Sequence, residues 1–430
     1  MIEKVKSFLL VALVVTSLLQ TYLLTFSNPQ FEPFTQNEYV QAEKPLGTKL
    51  ELEELLFPDQ VVLHFGAAHH SVLYPGDLFY PTILEKVKQR YFEGFRKINP
   101  FAAGVDWDDP KGKQQGLEIR FGHGVPFSVL KDVLQFKGEL PSDTDVITRI
   151  WITISESKES VRTYFLTDNL NTMYEVMKAD FTAKDLDEYL AQVDYPQYHL
   201  VPGSDFYLPN QDVSVNAYTF SFTELTPEQL KMSLFVDPGV TRNLREKDGS
   251  VIYTDAKRGL QLSPDLHWMS YTDPVAPADT ATNVRDDLLS AIQFVNQHGG
   301  WNGKFMLANT SNRSLDGAGV TFSFRQYLDR HPIVGTRPES IGSMQLTTQK
   351  GTVSKYERST MSLDQSLGSR VVTLDGGEKL DNRWKAYPKR SSILSMYPAY
   401  RPVVQVQEQR IELRPVWAVE LRDGTIEYLP

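Results

Sequence analysis

The chain has no cysteine in its 430 residues. That absence excludes disulfides, cysteine-ligated zinc, haem thiolates and thiol catalysis together, and it leaves burial as the source of stability. The signatures HExxH and GxSxG are absent as well, which removes two direct pointers to a metalloprotease or a serine hydrolase. Positive charge is in deficit, with 44 Lys and Arg against 54 Asp and Glu and a formal charge of -10. Because Glu3, Lys4 and Lys6 leave the first residues at +1, the rest of the chain carries -11. That balance argues against nucleic acid or an anionic lipid surface as partner and suits a solvated body or a basic partner. The last absence is local: residues 8–26 contain no charged side chain.

What stands in place of charge there is an apolar run, FLLVALVVTSLLQTYLLTF, followed by the turn-forming Ser27, Asn28 and Pro29. Nineteen residues make about 28 Å of helix, close to the hydrocarbon thickness of a bilayer. The sequence therefore predicts a single transmembrane helix over residues 8–26. Lys4 and Lys6 place the short N-terminal flank in the cytoplasm and the bulk of the chain in the extracytoplasmic space of a cell-membrane protein. A cleaved signal peptide is the competing reading, but the apolar core is long for one and no A-x-A-like site follows it. A lipoprotein anchor would need a cysteine.

Beyond the helix, 41% hydrophobic and 11% aromatic content supports ordinary cores, and the length exceeds one comfortable core. The expected organisation is a cytoplasmic tail (1–7), the span (8–26), a Pro-spotted stalk (27–58), an N-terminal α+β domain (59–205), a central α+β domain (206–275) and a C-terminal α+β domain (276–430). In the first domain, 60–65 reads as a strand. Pro81 opens a helix whose apolar positions Ile83, Leu84, Val87, Tyr91, Phe95 and Ile98 recur at helical spacing. Residues 146–155, 160–166 and 171–177 read as strands. Thr182 with Asp185, and Thr226-Pro227 with Gln229, open helices as capping-box starts. The turn formers of 194–210 and the loop 273–281 mark boundaries. Residues 284–297 form a helix closed by Gly299-Gly300. Strands follow at 303–309, 319–328, 342–349 and 352–360, with a terminal hairpin around Asp423-Gly424. Helices and strands in separate runs make the fold class α+β, with antiparallel sheets rather than a doubly wound parallel sheet.

No catalytic constellation assembles from the residues. His64, His69 and His70 converge if 60–65 and 71–74 form a hairpin, but no carboxylate stands at metal-ligand spacing, and hydrogen-bonding histidines are the better reading. The acidic turn at 106–112 (DWDDPKG) places Lys111 and Leu117 where a calcium loop needs Gly and Glu. Residues 299–305 (GGWNGKF) lack the first Gly and the hydroxyl of a P-loop. Ser155/Lys158 and Ser128/Lys131 fit S-x-x-K and Ser214/Asn216 fits S-x-N, but no K-T-G completes the serine acyl-enzyme set. The sequence therefore predicts no enzyme, no metal and no cofactor.

Several segments resemble the YycH family in order along the chain: 4–10 (KVKSFLL), Leu55, Phe57 and Pro58, then 234–242 (LFVDPGVTR), 252–255 (IYTD) and 258–260 (RGL). The resemblance continues through 291–301 (AIQFVNQHGGW) and 322–328 (FSFRQYL) with Pro332, and these last two are similar to YycI proteins as well. It implies a one-pass protein with a multi-domain exterior that regulates the sensor histidine kinase WalK (YycG) of cell-wall homeostasis, in complex with a YycI-type protein. It implies neither phosphotransfer nor a cofactor in this chain, and it leaves the sign of regulation open.

With that role, the helix itself becomes the candidate contact. Ala12, Thr16 and Gln20 are four apart and share one face, with Ser17 beside it. Small and polar residues on one stripe suit helix–helix contact in lipid. The alternative is that Thr16 and Ser17 bond back to their own helix and that Gln20 meets water at the outer interface. The alternative function is an extracytoplasmic ligand-binding protein or enzyme acting on cell-wall material, with the helix as a tether.

Overall fold

A computed structural model describes residues 2–26, 47–99, 114–154, 160–168, 172–191, 195–274, 283–311, 319–335 and 341–430, without the side chains of 2, 3, 5, 11 and 22–26. The stalk up to residue 46, the acidic turn at 106–112, Ser155 and Lys158, and most of the loop 273–281 lie outside the described residues. The chain forms two compact units, Met1–Tyr39 and Val40–Pro430.

The first unit holds helix α1 (Ile2–Phe26), without proline or glycine to break it. Its described side chains are all exposed. The expected span over 8–26 is present as a helix. Among the described residues, however, no helix is long and apolar enough to cross a membrane.

The second unit is built on three sheets. Its start is pinned by a bridge in which Thr48 and Trp301 exchange both backbone hydrogen bonds at 2.9 and 2.8 Å. A short helix, α2 (Leu52–Leu55), follows. The first sheet takes β1 (Gln60–Gly66), β2 (His69–Leu73), β3 (Tyr91–Ile98), β4 (Gln115–Pro126), β5 (Gln135–Lys137), β6 (Val146–Ile154), β7 (Val161–Thr167), β8 (Met173–Ala179), β9 (Tyr198–Leu200) and β10 (Tyr207–Pro209). Their order is β10-β9-β2-β1-β4-β6-β7-β8-β3-β5, antiparallel except for β3 beside β5. Helices α3 (Tyr80–Gln89), α4 (Phe127–Leu130) and α5 (Ala183–Leu190) belong to the same part of the chain. Phe92, Phe127 and Phe165 are fully buried in its aromatic core.

The helix expected from Pro81 to Ile98 divides after Gln89, and its second half is strand β3. Phe92 lies off the helical stripe yet is buried, in ring contact with Phe136, Phe165 and Phe181. Gly94 takes φ +68°, and a Cβ there would stand 3.3 Å from Met177 on β8. Aromatic residues fit the pleated surface, and a strand pairing with β8 buries more of them than a continued helix would.

The chain then interleaves two further sheets. Strand β11 (Val213–Glu224) opens a five-stranded sheet. Helix α6 (Pro227–Leu234) leads to β12 (Arg242–Arg245), β13 (Val251–Thr254), β14 (Gly259–Leu262) and β15 (Trp268–Thr272). Helix α7 (Val284–Gln297) leads to β16 (Lys304–Ser311), β17 (Val320–Leu328), β18 (His331–Pro332), β19 (Ser343–Gln349) and β20 (Thr352–Ser359). Strands β12 to β20 form one nine-stranded sheet, in which β15 pairs with β20. Elements from both sides of residue 275 thus share a sheet, so the sheets do not follow a division there. Strand β21 (Met361–Leu374), helix α8 (Gly377–Ala386), β22 (Ile393–Gln405), β23 (Arg410–Leu421) and β24 (Ile426–Tyr428) return to β11 in the order β21-β11-β23-β22, with β24 on β23. The turn into α8 packs closely on the entry to β11, where a Cβ on Gly376 would stand 1.9 Å from the Gln211 carbonyl oxygen. The α+β class with antiparallel sheets holds.

The caps read from sequence are made. Thr182 and Thr226 each accept from the backbone N–H three residues on, and the third residue's side chain accepts in return. Thr226→Ala should therefore cost about 1 kcal/mol, measured by urea denaturation, and serine at 226 should recover most of it. An unchanged midpoint for the alanine variant would mean that α6 is held by packing alone.

Candidate functional site

On α1, Ala12, Thr16, Ser17 and Gln20 are all exposed. Four residues advance an α-helix by one turn plus about 40°, so Ala12, Thr16 and Gln20 form a shallow stripe about 12 Å long. The Thr16 hydroxyl donates to the Ala12 carbonyl at 2.8 Å, and the Thr21 hydroxyl donates to Ser17 at 2.9 Å. Thr16 thus spends its proton inside the helix and keeps its oxygen lone pairs as what it can offer a neighbour. Gln20 makes no hydrogen bond among the described residues, so its amide is the free polar group of the stripe.

In the second unit, a charged cluster is buried in the first sheet. His64 on β1 and His70 on β2 are cross-strand partners, which puts both rings on one face. Their Nδ1 atoms lie 2.9 Å apart, so one donates and the other accepts. Trp151 on β6 stacks on His64 at 5.2 Å. Glu118 on β4, fully buried, faces His64 Nε2 at 3.4 Å, Arg120 at 3.0 Å and Arg149 at 3.5 Å. Asp205 completes the set: its carboxylate pairs with Arg149 and its carbonyl accepts from Arg120 at 2.6 Å. Two carboxylates face two guanidinium groups, so these four charges balance.

The electrostatics agree. Burial, with His64 adding to it, pushes His70 down to about 3. Burial disfavours the Glu118 carboxylate, but Arg120, the His64 bond and Arg149 outweigh it and hold the group well below its ordinary range. Burial also lowers Arg149, to about 10, with Arg120 contributing. The hairpin expected for His64 and His70 is present and they do meet, as hydrogen-bonding histidines; His69 points to solvent. Among the described residues no group of three or more His, Asp or Glu side chains is placed to hold a metal ion.

A second polar junction joins all three sheets. An irregularity in β4 between Arg120 and Val125 re-aims His123 out of the ladder. His123 Nε2 meets Glu420 Oε1 on β23 at 2.5 Å. Arg325 on β17 bonds the Tyr397 hydroxyl on β22 at 3.2 Å, and Asp59 accepts from the Gly122 N–H. Burial disfavours the His123 cation, yet the Glu420 bond raises its pKa above the ordinary value. Burial raises Asp59. The arrangement fastens the sheets together and presents no nucleophile beside a base. Ser128 is buried on α4, and Ser214 and Asn216 are exposed positions of β11 in an ordinary strand. Sequence reasoning missed Glu118, Arg120, Arg149, His123 and Glu420. Their only signal was charge at alternate strand positions, which reads equally well as a wet face.

Comparison with known proteins gives the chain relatives. Residues 203–429 match the family model described as YycH protein, C-terminal domain, and residues 3–197 match YycH protein, N-terminal domain. The chain is 20% identical over 440 residues to the two-component system WalR/WalK regulatory protein YycH of Bacillus subtilis (strain 168), spanning 97% of this chain and 94% of that protein. Its fold is similar to the crystal structure of YycH from Bacillus subtilis, with a TM-score of 0.71 at 17% identity, covering 90% of this chain and 99% of that one. The Bacillus megaterium YpeB C-terminal domain covers 48% of this chain at a TM-score of 0.26, too low to carry an argument.

Proposed function

The chain belongs to the YycH family, and from that premise we propose that it is a membrane-anchored regulator of a WalK-type (YycG) sensor histidine kinase. Residues 8–26 act as its one span, the N-terminus is cytoplasmic and the bulk extracytoplasmic, and a YycI-type protein acts with it. The regulatory role in a two-component system follows from the relatives. The observation that carries the intramembrane mechanism is an uninterrupted helix whose residues 8–26 hold no charge and whose one free amide, Gln20, lies on a stripe with Ala12 and Thr16, flanked by Ser17. In lipid such a stripe lets backbones approach and supplies interhelical hydrogen bonds.

The energy required is small. A tenfold shift of a two-state kinase needs about 1.4 kcal/mol of differential contact, and two interhelical contacts of about 0.6 kcal/mol each come near it. The exterior makes the further contacts with its partners; the chain itself is not the catalyst. Exchanging residues 8–26 for an unrelated uncharged span should abolish the effect on a kinase-dependent reporter while protein level and membrane fractionation stay unchanged. Regulation that survives the exchange would overturn the intramembrane mechanism.

A further inference from the structure

A cleft of about 1200 Å³ lies in the second unit, between the first sheet and the five-stranded sheet. It exceeds the roughly 300–1,000 Å³ of a small-molecule pocket, so it suits an extended occupant.

Its walls are strand edges. Val213, Ser214, Val215 and Asn216 of β11 line it as four consecutive residues. Successive side chains of a strand point to opposite faces, so a cavity against a sheet face touches every second residue, and only one against the edge touches each in turn. The pairing agrees. Over 213–217, β11 pairs with β21, and β23 takes its other edge only from Tyr218 onward. Across the cleft, Val72, Leu73 and Tyr74 are again consecutive, and β2 pairs with β9 only at His70. Both edges leave backbone donors and acceptors without a ladder partner among the described residues, which is what an added strand uses.

The side chains narrow the occupant. Leu78 is 78% exposed and Val371 68% exposed, the two most exposed large apolar residues of the described second unit, and both line this cleft. Asp77, Asp212 and Asp329 line it against Arg330 as the one cation, which is already paired with Asp77 at 2.7 Å. His331, 5% exposed, also lines it and has no hydrogen-bond partner on Nδ1. An anionic ligand is disfavoured. A chain with apolar side chains at alternate positions and basic residues beside them would cover Leu78, answer the carboxylates and run one strand away from Val371, which lies on β21 beyond β11.

We propose that this cleft binds an extended, apolar and basic peptide segment, which adds as a strand to the free edge of β11. The site is independent of the helix contact proposed above.

The test uses the full chain in detergent micelles. Peptides are selected from a phage-displayed library of random dodecamers, and the enriched sequences are synthesised. Their binding is measured by titration calorimetry against wild type, Leu78→Lys and Val371→Lys. Both positions are exposed, so thermal melting should show both variants folded as wild type. Each variant should bind at least tenfold more weakly, affinity should fall with added salt, and N-methylation of alternate peptide amides should abolish binding in one of its two phases. The proposal is overturned if no peptide enriches, or if enriched peptides bind both variants as well as wild type. It is also overturned if both N-methylated phases bind normally, if an N-acetylglucosamine oligomer displaces the peptide, or if sedimentation shows that a second copy of the chain fills the cleft.

Discussion

Glu118→Leu should lower the unfolding free energy of the second unit by about 3–5 kcal/mol, the range for breaking a buried ion pair from one side. Leucine fills the space but leaves Arg120 and Arg149 against the single carboxylate of Asp205. The guanidinium groups cannot escape by giving up their protons, because arginine stays charged in proteins, so the penalty falls on the fold. The double variant Glu118→Leu/Arg149→Leu separates this cause from packing. It restores balance by leaving Arg120 with Asp205, whose Nη2 and Oδ1 already lie 3.7 Å apart. It should therefore be about 1–3 kcal/mol less destabilised than the two single losses added together. Urea unfolding followed by tryptophan fluorescence reports it through Trp151, which stacks on His64. Additive losses would show that the cluster's charges do not act together.

Acid should weaken the second unit from about pH 6.5 downward. His70, His298 and His331 are all 5% exposed or less, and burial holds them down to about 3, 4 and 3. Each is neutral in the folded state. Below the ordinary value of about 6.5, the unfolded chain takes up protons that the folded chain refuses, so stability falls as pH falls. The contribution is whole above about 6.5 and is lost progressively down to the folded values. By pH 5 each ring should have cost about 2 kcal/mol. His123 works in the opposite sense. Its pKa is raised by Glu420 against burial, so its contribution is whole below the ordinary value and is lost as pH rises through the raised one. It returns only part of what the other three remove. Melting curves at pH 7, 6 and 5 should therefore shift steadily downward. A melting temperature that is flat across that interval would mean that the three rings reach water in the folded state.

Local chemistry was the readable layer of this fold. The capping boxes at Thr182 and Thr226, the bounds Val284–Gln297 of α7, and the hairpin turn at Asp423-Gly424 each follow from a few adjacent residues. The resemblance to the YycH family, spread in order along the chain, was legible for the same reason. Failure came where two periods overlap. Val87, Tyr91, Phe95 and Ile98 keep helical spacing, yet Phe92 between them is buried in a strand core. Strand β22 was missed because Pro398 and Pro402 stand inside it; it lies at the end of its sheet, where missing donors are tolerated. The charged cluster was invisible for a different reason. Glu118 and Arg120 alternate with Leu117 and Ile119 as a half-wet strand would, and only the chain returning at Asp205 and Tyr207 covers the second face. Both strand-edge walls of the cleft likewise come from segments far apart in sequence.

The pairing of β11 also dictates an order of events during synthesis. Among the described residues, Val213–Glu224 finds its ladder partners in Met361–Leu374 and Arg410–Leu421, well over a hundred residues later. The intervening stretch 242–359 builds a sheet from its own strands. As the chain emerges, the first sheet and then the nine-stranded sheet can close, while β11 waits with both edges bare until the C-terminal strands arrive. A truncation that removes only residues 410–430 should thus leave two finished sheets, β11 with one of its two ladder partners, and β22 without the strand it pairs with. Those twenty-one residues act as the closing seam of a body whose other two sheets are already assembled.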